Sequence, residues 1–153
     1  MRFKLFIESE EQKDILQTLA KLPIQHRNLV KGFDWRLEGG NTLKGDSQHV
    51  GYMDDHDKEI AVAAPWSYSR SFCALHEIAH QVFEHLPPEL KHQWDALIQK
   101  TKHEQIAKNP ENKDALNQSS EEIFCHSYAC YYSKHKVLTY YHPAWMKFIE
   151  QLP

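Results

Sequence analysis

The sequence HEIAH at residues 76–80 lies inside a long amphipathic segment and constrains the fold more than any other part of the chain. Residues four apart on a helix stand one turn above each other, so His76 and His80 share one face. Apolar residues recur around this pair, which predicts a largely buried helix over residues 69–86. These apolar residues are Phe72, Leu75, Ile78, Ala79, Val82, Phe83 and Leu86. Pro87 and Pro88 end the segment, because proline lacks the backbone donor and restricts the residue before it.

Two imidazoles at this spacing can bind one tetrahedral Zn²⁺, and Glu77 between them can act as general base on a water molecule. Zinc activates the water and polarises a carbonyl, and the carboxylate passes the proton to the leaving amine. Buried His and Glu side chains need partners, which a metal supplies. The motif therefore predicts His76 and His80 as zinc ligands and Glu77 as a catalytic residue. The alternative is a coincidence on an exposed helix face, since 11 of the 153 residues are His.

A zinc site of this kind needs a third protein ligand. Phe83 and Leu86 stand where the metzincin extension would require Gly and His, so that class is excluded. His85 lies five positions after His80, about 140° round the helix, and points away from the metal face. Glu84 is on the correct face, but the closing ligand of a zincin normally comes from another segment.

A second predicted helix, over residues 119–133, carries candidates for that ligand. Ser119 followed by Glu122 reads as a capping box and predicts the start of the helix. Glu122, His126 and Cys130 fall on one face at four-residue intervals. We expect Glu122 to be the third zinc ligand, with Glu121 as the alternative. The other interpretation makes Glu122 only a cap partner and His126 a core residue.

Three separated motifs together resemble a known family. They are HEIAH at residues 76–80, EIFCHSY at 122–128, and HVGYMDD at 49–55 followed by KEIAV at 58–62. They resemble the active helix, the E-F-F-A-E-A-F helix and the G-Y-Y-D…I-Y-I segment of the anthrax lethal factor-like zincins and the related Pro-Pro endopeptidases. The resemblance runs from about residue 47 to the C-terminus, with the motifs in the family's order.

The resemblance implies roles for particular residues. The third zinc ligand of the family maps onto Glu122. The family's second Glu, the partner of a ligand His, maps onto His126 and is therefore replaced. The family Tyr that donates a hydrogen bond to the tetrahedral intermediate maps onto Ala115. We consider His126, His103 and Tyr128 as substitutes for that donor; His126 and Tyr128 thus join Glu77 as predicted catalytic residues.

The order of predicted elements indicates an α+β protein with the minimal zincin fold, in a single domain over residues 1–153. A small mixed or antiparallel sheet of three to four strands packs on the HExxH helix, and a helical C-terminal half follows. The strands are expected at 2–7, 33–37, 50–53 and 59–64, and the helices at 9–22, 69–86, 88–107, 119–133 and 143–151. In this architecture the strand at 50–53 lies at the sheet edge and binds an extended peptide by strand addition. Gly51 there indicates either close backbone approach or a bulge.

Composition narrows the partners. A formal charge of −3 without a basic stripe gives no reason to expect nucleic-acid binding. No apolar run approaches the length of a membrane span. The first residues lack the apolar core of a signal peptide, and three Cys without a CxxC motif fit a reducing compartment, so we expect a cytoplasmic protein. Cys73, Cys125 and Cys130 are expected to be small core residues.

These features predict a zinc-dependent endopeptidase of the gluzincin type, a hydrolase whose partner is a peptide or protein substrate. An ImmA/IrrE-like regulatory metallopeptidase that cleaves one repressor-like protein is an alternative. A zinc-binding scaffold without turnover is another, favoured by Ala115. A protein in which the His and Glu side chains satisfy each other without a metal is the last. The sequence carries no signature of an oligomeric state.

Overall fold

The structure of the protein is a computed structural model that describes residues 2–4, 9–44, 49–64 and 68–153. It has the mixed α+β architecture expected from the sequence. The strands are β1 (Arg2–Lys4), β2 (Asp34–Leu37), β3 (Gly51–Asp54) and β4 (Glu59–Val62). The helices are α1 (Ser9–Leu19), α2 (Ile24–Leu29), α3 (Arg70–Glu84), α4 (Pro88–Lys108), α5 (Ser120–Tyr132) and α6 (Pro143–Glu150). The end of the strand predicted over residues 2–7 lies outside the described residues.

The four strands form one mixed sheet in the order β1-β2-β4-β3. β1, β2 and β4 are parallel, and β3 pairs antiparallel with β4 as a hairpin. Asp54 closes the hairpin turn, because its carboxylate accepts from the backbone N–H groups of His56 and Asp57. Lys58 completes the turn in the left-handed region, with φ 52°. This topology leaves β3 at an edge of the sheet, as the sequence predicted.

Helix α3 lies at the centre of the domain, between the sheet and α5. Trp35, Ile60 and Val62 pack on it from one face of the sheet, and all three are fully buried. From Ser71 to His80, every residue of α3 is buried except His76 and His80. The two imidazoles of the motif are therefore the side chains that reach solvent on this stretch of the helix.

Local capping and tertiary hydrogen bonds fix where α3 and α5 begin. Ser69 caps α3, since its Oγ accepts from Phe72 N at 3.1 Å. Ser119 caps α5 in the same way, through Glu122 N at 3.2 Å. The start of α5 is also tied to α4, because the Trp94 indole donates to Ser120 O at 2.7 Å. These contacts place the first turn of α5 opposite the middle of α3.

The helical structure of the first 30 residues differs from the predicted single helix over 9–22. Helix α1 ends at Leu19, and a separate short helix α2 begins directly after Pro23. Proline suits the start of a helix because its missing N–H would have no partner there. Between α4 and α5, a 3₁₀ turn covers Pro110–Asn112.

None of the helices in the described part of the chain combines the length and the apolar character that crossing a membrane requires. Cys73, Cys125 and Cys130 are free and buried, which confirms their predicted place in the core.

Candidate metal centre and active-site cleft

The side chains of His76 and His80 from α3 and of Glu122 from α5 converge at one point. The Nε2 atom of His76 lies 3.4 Å from Glu122 Oε2, and that of His80 lies 3.5 Å from Glu122 Oε1. One ligand atom from each residue lies within 4.8 Å of the other two. Tetrahedral ligands at zinc bond lengths of about 2.0–2.1 Å stand about 3.4 Å apart. The group can therefore hold a metal ion.

The contacts of Glu122 with the two imidazoles are long. Contacts of 3.4 and 3.5 Å exceed the usual 2.7–3.2 Å of N–H···O bonds. Interaction with the His76 ring lowers the pKa of Glu122 to about 2 against the opposing effect of burial, and the nearby His80 and His126 lower it further. Glu122 is thus an anion between two imidazoles, an arrangement that favours a cation.

Glu121, next to the predicted ligand, has a separate role in this cluster. Its Oε1 lies 2.8 Å from Nδ1 of His80. An imidazole that donates Nδ1–H to a carboxylate keeps Nε2 free as a ligand atom, and the carboxylate also fixes the orientation of the ring. The sequence indicated Glu121 only as an alternative ligand. The signal that could have identified this role is its place in the same helical turn as Glu122.

Glu77 lies in the same cleft, beside the edge strand. Its side chain is only 7% exposed, and burial raises its pKa, as does Glu122 to a smaller extent, while His76 and His80 oppose the rise. Strand β3 approaches it closely at Gly51, where an added Cβ would lie 2.5 Å from Glu77 Oε1. The ladder between β3 and β4 is regular at this point, so the glycine serves close approach and not a bulge.

His126 also lies at the cluster, next to His76. Its ring stacks on Tyr140 with centroids 4.1 Å apart and meets the His76 ring at 4.3 Å. Burial, followed by the proximity of His76, lowers the pKa of His126 to about 3. The imidazole is therefore neutral, and it is not one of the three converging ligands.

Tyr128 does not lie at the cluster, which corrects its predicted place at the site. Its side chain is fully buried, and its hydroxyl is 2.8 Å from Nδ1 of His26 on α2. The physical reason is helical periodicity: Tyr128 is two positions beyond His126 and lies on the opposite, core-facing side of α5. His103 is exposed on α4 and does not line the cleft. His85 is held at the end of α3 by a contact of its Nδ1 with Gln81 O at 2.9 Å.

The cleft that contains these groups has a volume of about 440 Å³. Residues 50–53, which include the first three residues of β3, form one wall, and α3 and α5 form the floor. Tyr68, Phe72 and Cys73 line the end away from His80. Within the described residues the lining contains no Lys or Arg, so its charge comes from carboxylates and imidazoles.

Comparisons of the chain with models of known protein families, with curated proteins and with solved structures found no match.

Proposed function

We propose that this protein is a zinc-dependent endopeptidase that hydrolyses a peptide bond in an extended segment of a peptide or protein. The observation that carries the proposal is the convergence of His76, His80 and Glu122 beside the buried carboxylate of Glu77, in a cleft walled by an edge strand. A helix that merely carried the motif by chance would not meet a third ligand from another segment at ligand spacing.

The donor set favours zinc among the metals of this class. Two imidazoles and one carboxylate, with a fourth position open, form the ligand set of many catalytic zinc sites. When bound, the ion would supply Lewis-acid activation of a water molecule and of the substrate carbonyl.

Glu77 is the proposed general base. Its carboxylate takes a proton from the attacking water as the new C–O bond forms, and then delivers that proton to the amide nitrogen as the C–N bond breaks. A carboxylate whose pKa is raised by burial is suited to both transfers, because a base works best when its pKa approaches the working pH. Because Gly51 has no side chain, the Glu77 carboxylate can occupy the space beside β3.

The substrate binds along β3 in this proposal. Among the described residues, strand β3 pairs with β4 as the last strand of the sheet, and residues 50–53 line the cleft. An extended peptide can add to the free edge through main-chain hydrogen bonds, which brings its backbone past Glu77. The three free, buried thiols fit a reducing compartment such as the cytoplasm.

Membership of the lethal factor-like zincins remains part of this proposal. It is supported by the position of Glu122 opposite the HExxH helix and by the β3–β4 hairpin at the quoted segment. A zinc-binding protein without turnover is the second candidate, and Ala115 favours it. The alanine offers no hydroxyl, and the nearby Tyr140 hydroxyl donates instead to Ala115 O at 3.2 Å.

A metal assay combined with a peptide-library cleavage screen tests the proposal. We expect the wild-type protein to bind one zinc and to cleave a subset of peptides. Glu77→Gln should retain the zinc and lose cleavage, because the amide cannot accept the proton. Glu84→Gln, on the exposed end of the same helix, is the matched control and should keep both. Zinc binding without cleavage of any peptide would favour the second candidate, and undiminished cleavage by Glu77→Gln would end the proposal.

A further inference from the structure

Two buried nitrogen atoms beside the candidate metal centre have no hydrogen-bond partner among the described residues. They are Nδ1 of His76 and Nδ1 of His126. The two rings are in contact, with centroids 4.3 Å apart and an interplanar angle of 49°. Buried polar atoms without partners are costly, and each such pair calls for an explanation.

One shared proton accounts for both atoms. His76 presents Nε2 to Glu122, so as a neutral metal ligand it carries its proton on Nδ1. That Nδ1–H needs an acceptor. His126 can supply one if its own proton is on Nε2, because its Nδ1 is then a free lone pair. The rings are in tilted contact at 4.3 Å, so forming this hydrogen bond requires them to turn edge to edge and to move slightly apart.

Packing restricts the orientation of the His126 ring. Its ring stacks on Tyr140, with centroids 4.1 Å apart and an interplanar angle of 16°, and Phe72 lies farther off at 6.2 Å and 26°. The stack on Tyr140 restricts the plane of the imidazole, while the His76 ring meets it at a tilt of 49°. For the other ligand, Glu121 holds Nδ1 of His80 through a carboxylate. The two ligand histidines thus differ in the chemistry of their partners.

We propose that His126 is the positioning residue of His76: its Nδ1 accepts the Nδ1–H of His76 and fixes the tautomer and orientation of that ligand. The inference rests on the proposed metal centre of the preceding section. It also assigns the proton of His126 to Nε2, on a ring that lines the cleft.

Two substitutions distinguish the roles of the two nitrogen atoms of His126. In His126→Asn the amide oxygen stands near the position of Nδ1, so the acceptor for His76 is kept and the donor in the cleft is lost. In His126→Gln the amide extends to the position of Nε2, so the acceptor is lost. Zinc affinity, measured by competition with a chelator, needs no substrate. We expect His126→Asn to stay within about threefold of wild type and His126→Gln to lose about 10- to 100-fold.

His135→Asn is the matched control. His135 packs edge-on against the same Phe72 ring at 5.7 Å but is not part of the metal group. We expect it to bind zinc like the wild type. Equal affinity for His126→Asn and His126→Gln, whether both unchanged or both reduced, would overturn the proposal.

A measurement on the unmodified protein keeps the inference testable if a variant does not fold. In zinc-loaded, ¹⁵N-labelled protein, the tautomers of individual histidines can be assigned by NMR. We expect the proton of His76 on Nδ1 and that of His126 on Nε2; a proton on Nδ1 of His126 contradicts the proposal. The affinity and NMR results stand without turnover, so a wild-type protein that binds zinc but cleaves nothing would refute only the proposed peptidase function.

Discussion

The close approach of β3 to Glu77 allows the proposed general base to be moved without touching a metal ligand. In Gly51→Ala the new Cβ would lie 2.5 Å from Glu77 Oε1 and 3.1 Å from Cδ and Cγ of the same side chain. Ordinary van der Waals contact begins at 3.4 Å, so the carboxylate oxygen must retreat by about 0.9 Å. The backbone of Gly51 is not in the left-handed region, so this contact is the main cost of the substitution.

A displacement of this size has a calculable effect on both turnover and stability. Misplacing a reacting group by about 1 Å costs about 10²-fold in rate, which corresponds to about 2.7 kcal/mol. Crowding a packed site by one methyl group lowers the free energy of unfolding by about 1–3 kcal/mol. We therefore expect Gly51→Ala to lower kcat about 100-fold on a peptide that the library screen identifies, and to destabilise the protein measurably in urea.

Gly39→Ala is the control for this experiment, because no heavy atom lies within 4 Å of its added Cβ. It should leave kcat unchanged and the free energy of unfolding within about 0.5 kcal/mol. Zinc content should equal that of wild type in both variants. The reasoning is refuted if Gly51→Ala turns over at the wild-type rate, or if its rate falls only because zinc is lost.

Three further predictions concern the groups around the cluster. Glu121→Ala should weaken zinc binding about 10- to 100-fold in a chelator competition, because His80 loses the partner of its Nδ1, whereas the exposed Glu150→Ala should not; equal affinities would contradict that role. Glu122, whose pKa is lowered from 4.5 to about 2, should stabilise the metal-free protein above pH 4.5 and lose this contribution as the pH falls towards 2. The stability difference between wild type and Glu122→Gln, followed by urea unfolding, should therefore shrink over that interval, and a constant difference would argue against it. Tyr128→Phe should leave kcat unchanged and cost about 1–3 kcal/mol of stability, since buried His26 loses its partner; a selective loss of kcat would return Tyr128 to the site.

The local parts of the site were predictable from the sequence because their signals are local. The four-residue spacing of His76 and His80, the apolar stripe and the following prolines predicted a buried helix with two imidazoles on one face. The Ser119 cap predicted the start of α5, and Glu122 three residues later proved to lie at the cluster. Only half of the predicted capping box forms: Ser119 accepts from Glu122 N, while the Glu122 carboxylate lies between the imidazoles.

The parts that were not predictable depend on contacts between distant segments. His26 and Tyr128 are 102 residues apart, and nothing in either segment indicates their hydrogen bond. The contact of Glu121 with His80 spans 41 residues and depends on the angle between α3 and α5, which no periodicity encodes. Gly51 was ambiguous for the same reason, since the sequence does not reveal which side chain approaches a strand across the domain.

The central claim is that one metal ion is held by His76, His80 and Glu122, and the most direct test is anomalous scattering at the zinc edge from crystals of the zinc-loaded protein. We expect a single strong site with Nε2 of both imidazoles and the Glu122 carboxylate at about 2.0–2.2 Å. A protein that takes up no stoichiometric zinc, or an ion bound by other residues, would contradict the account.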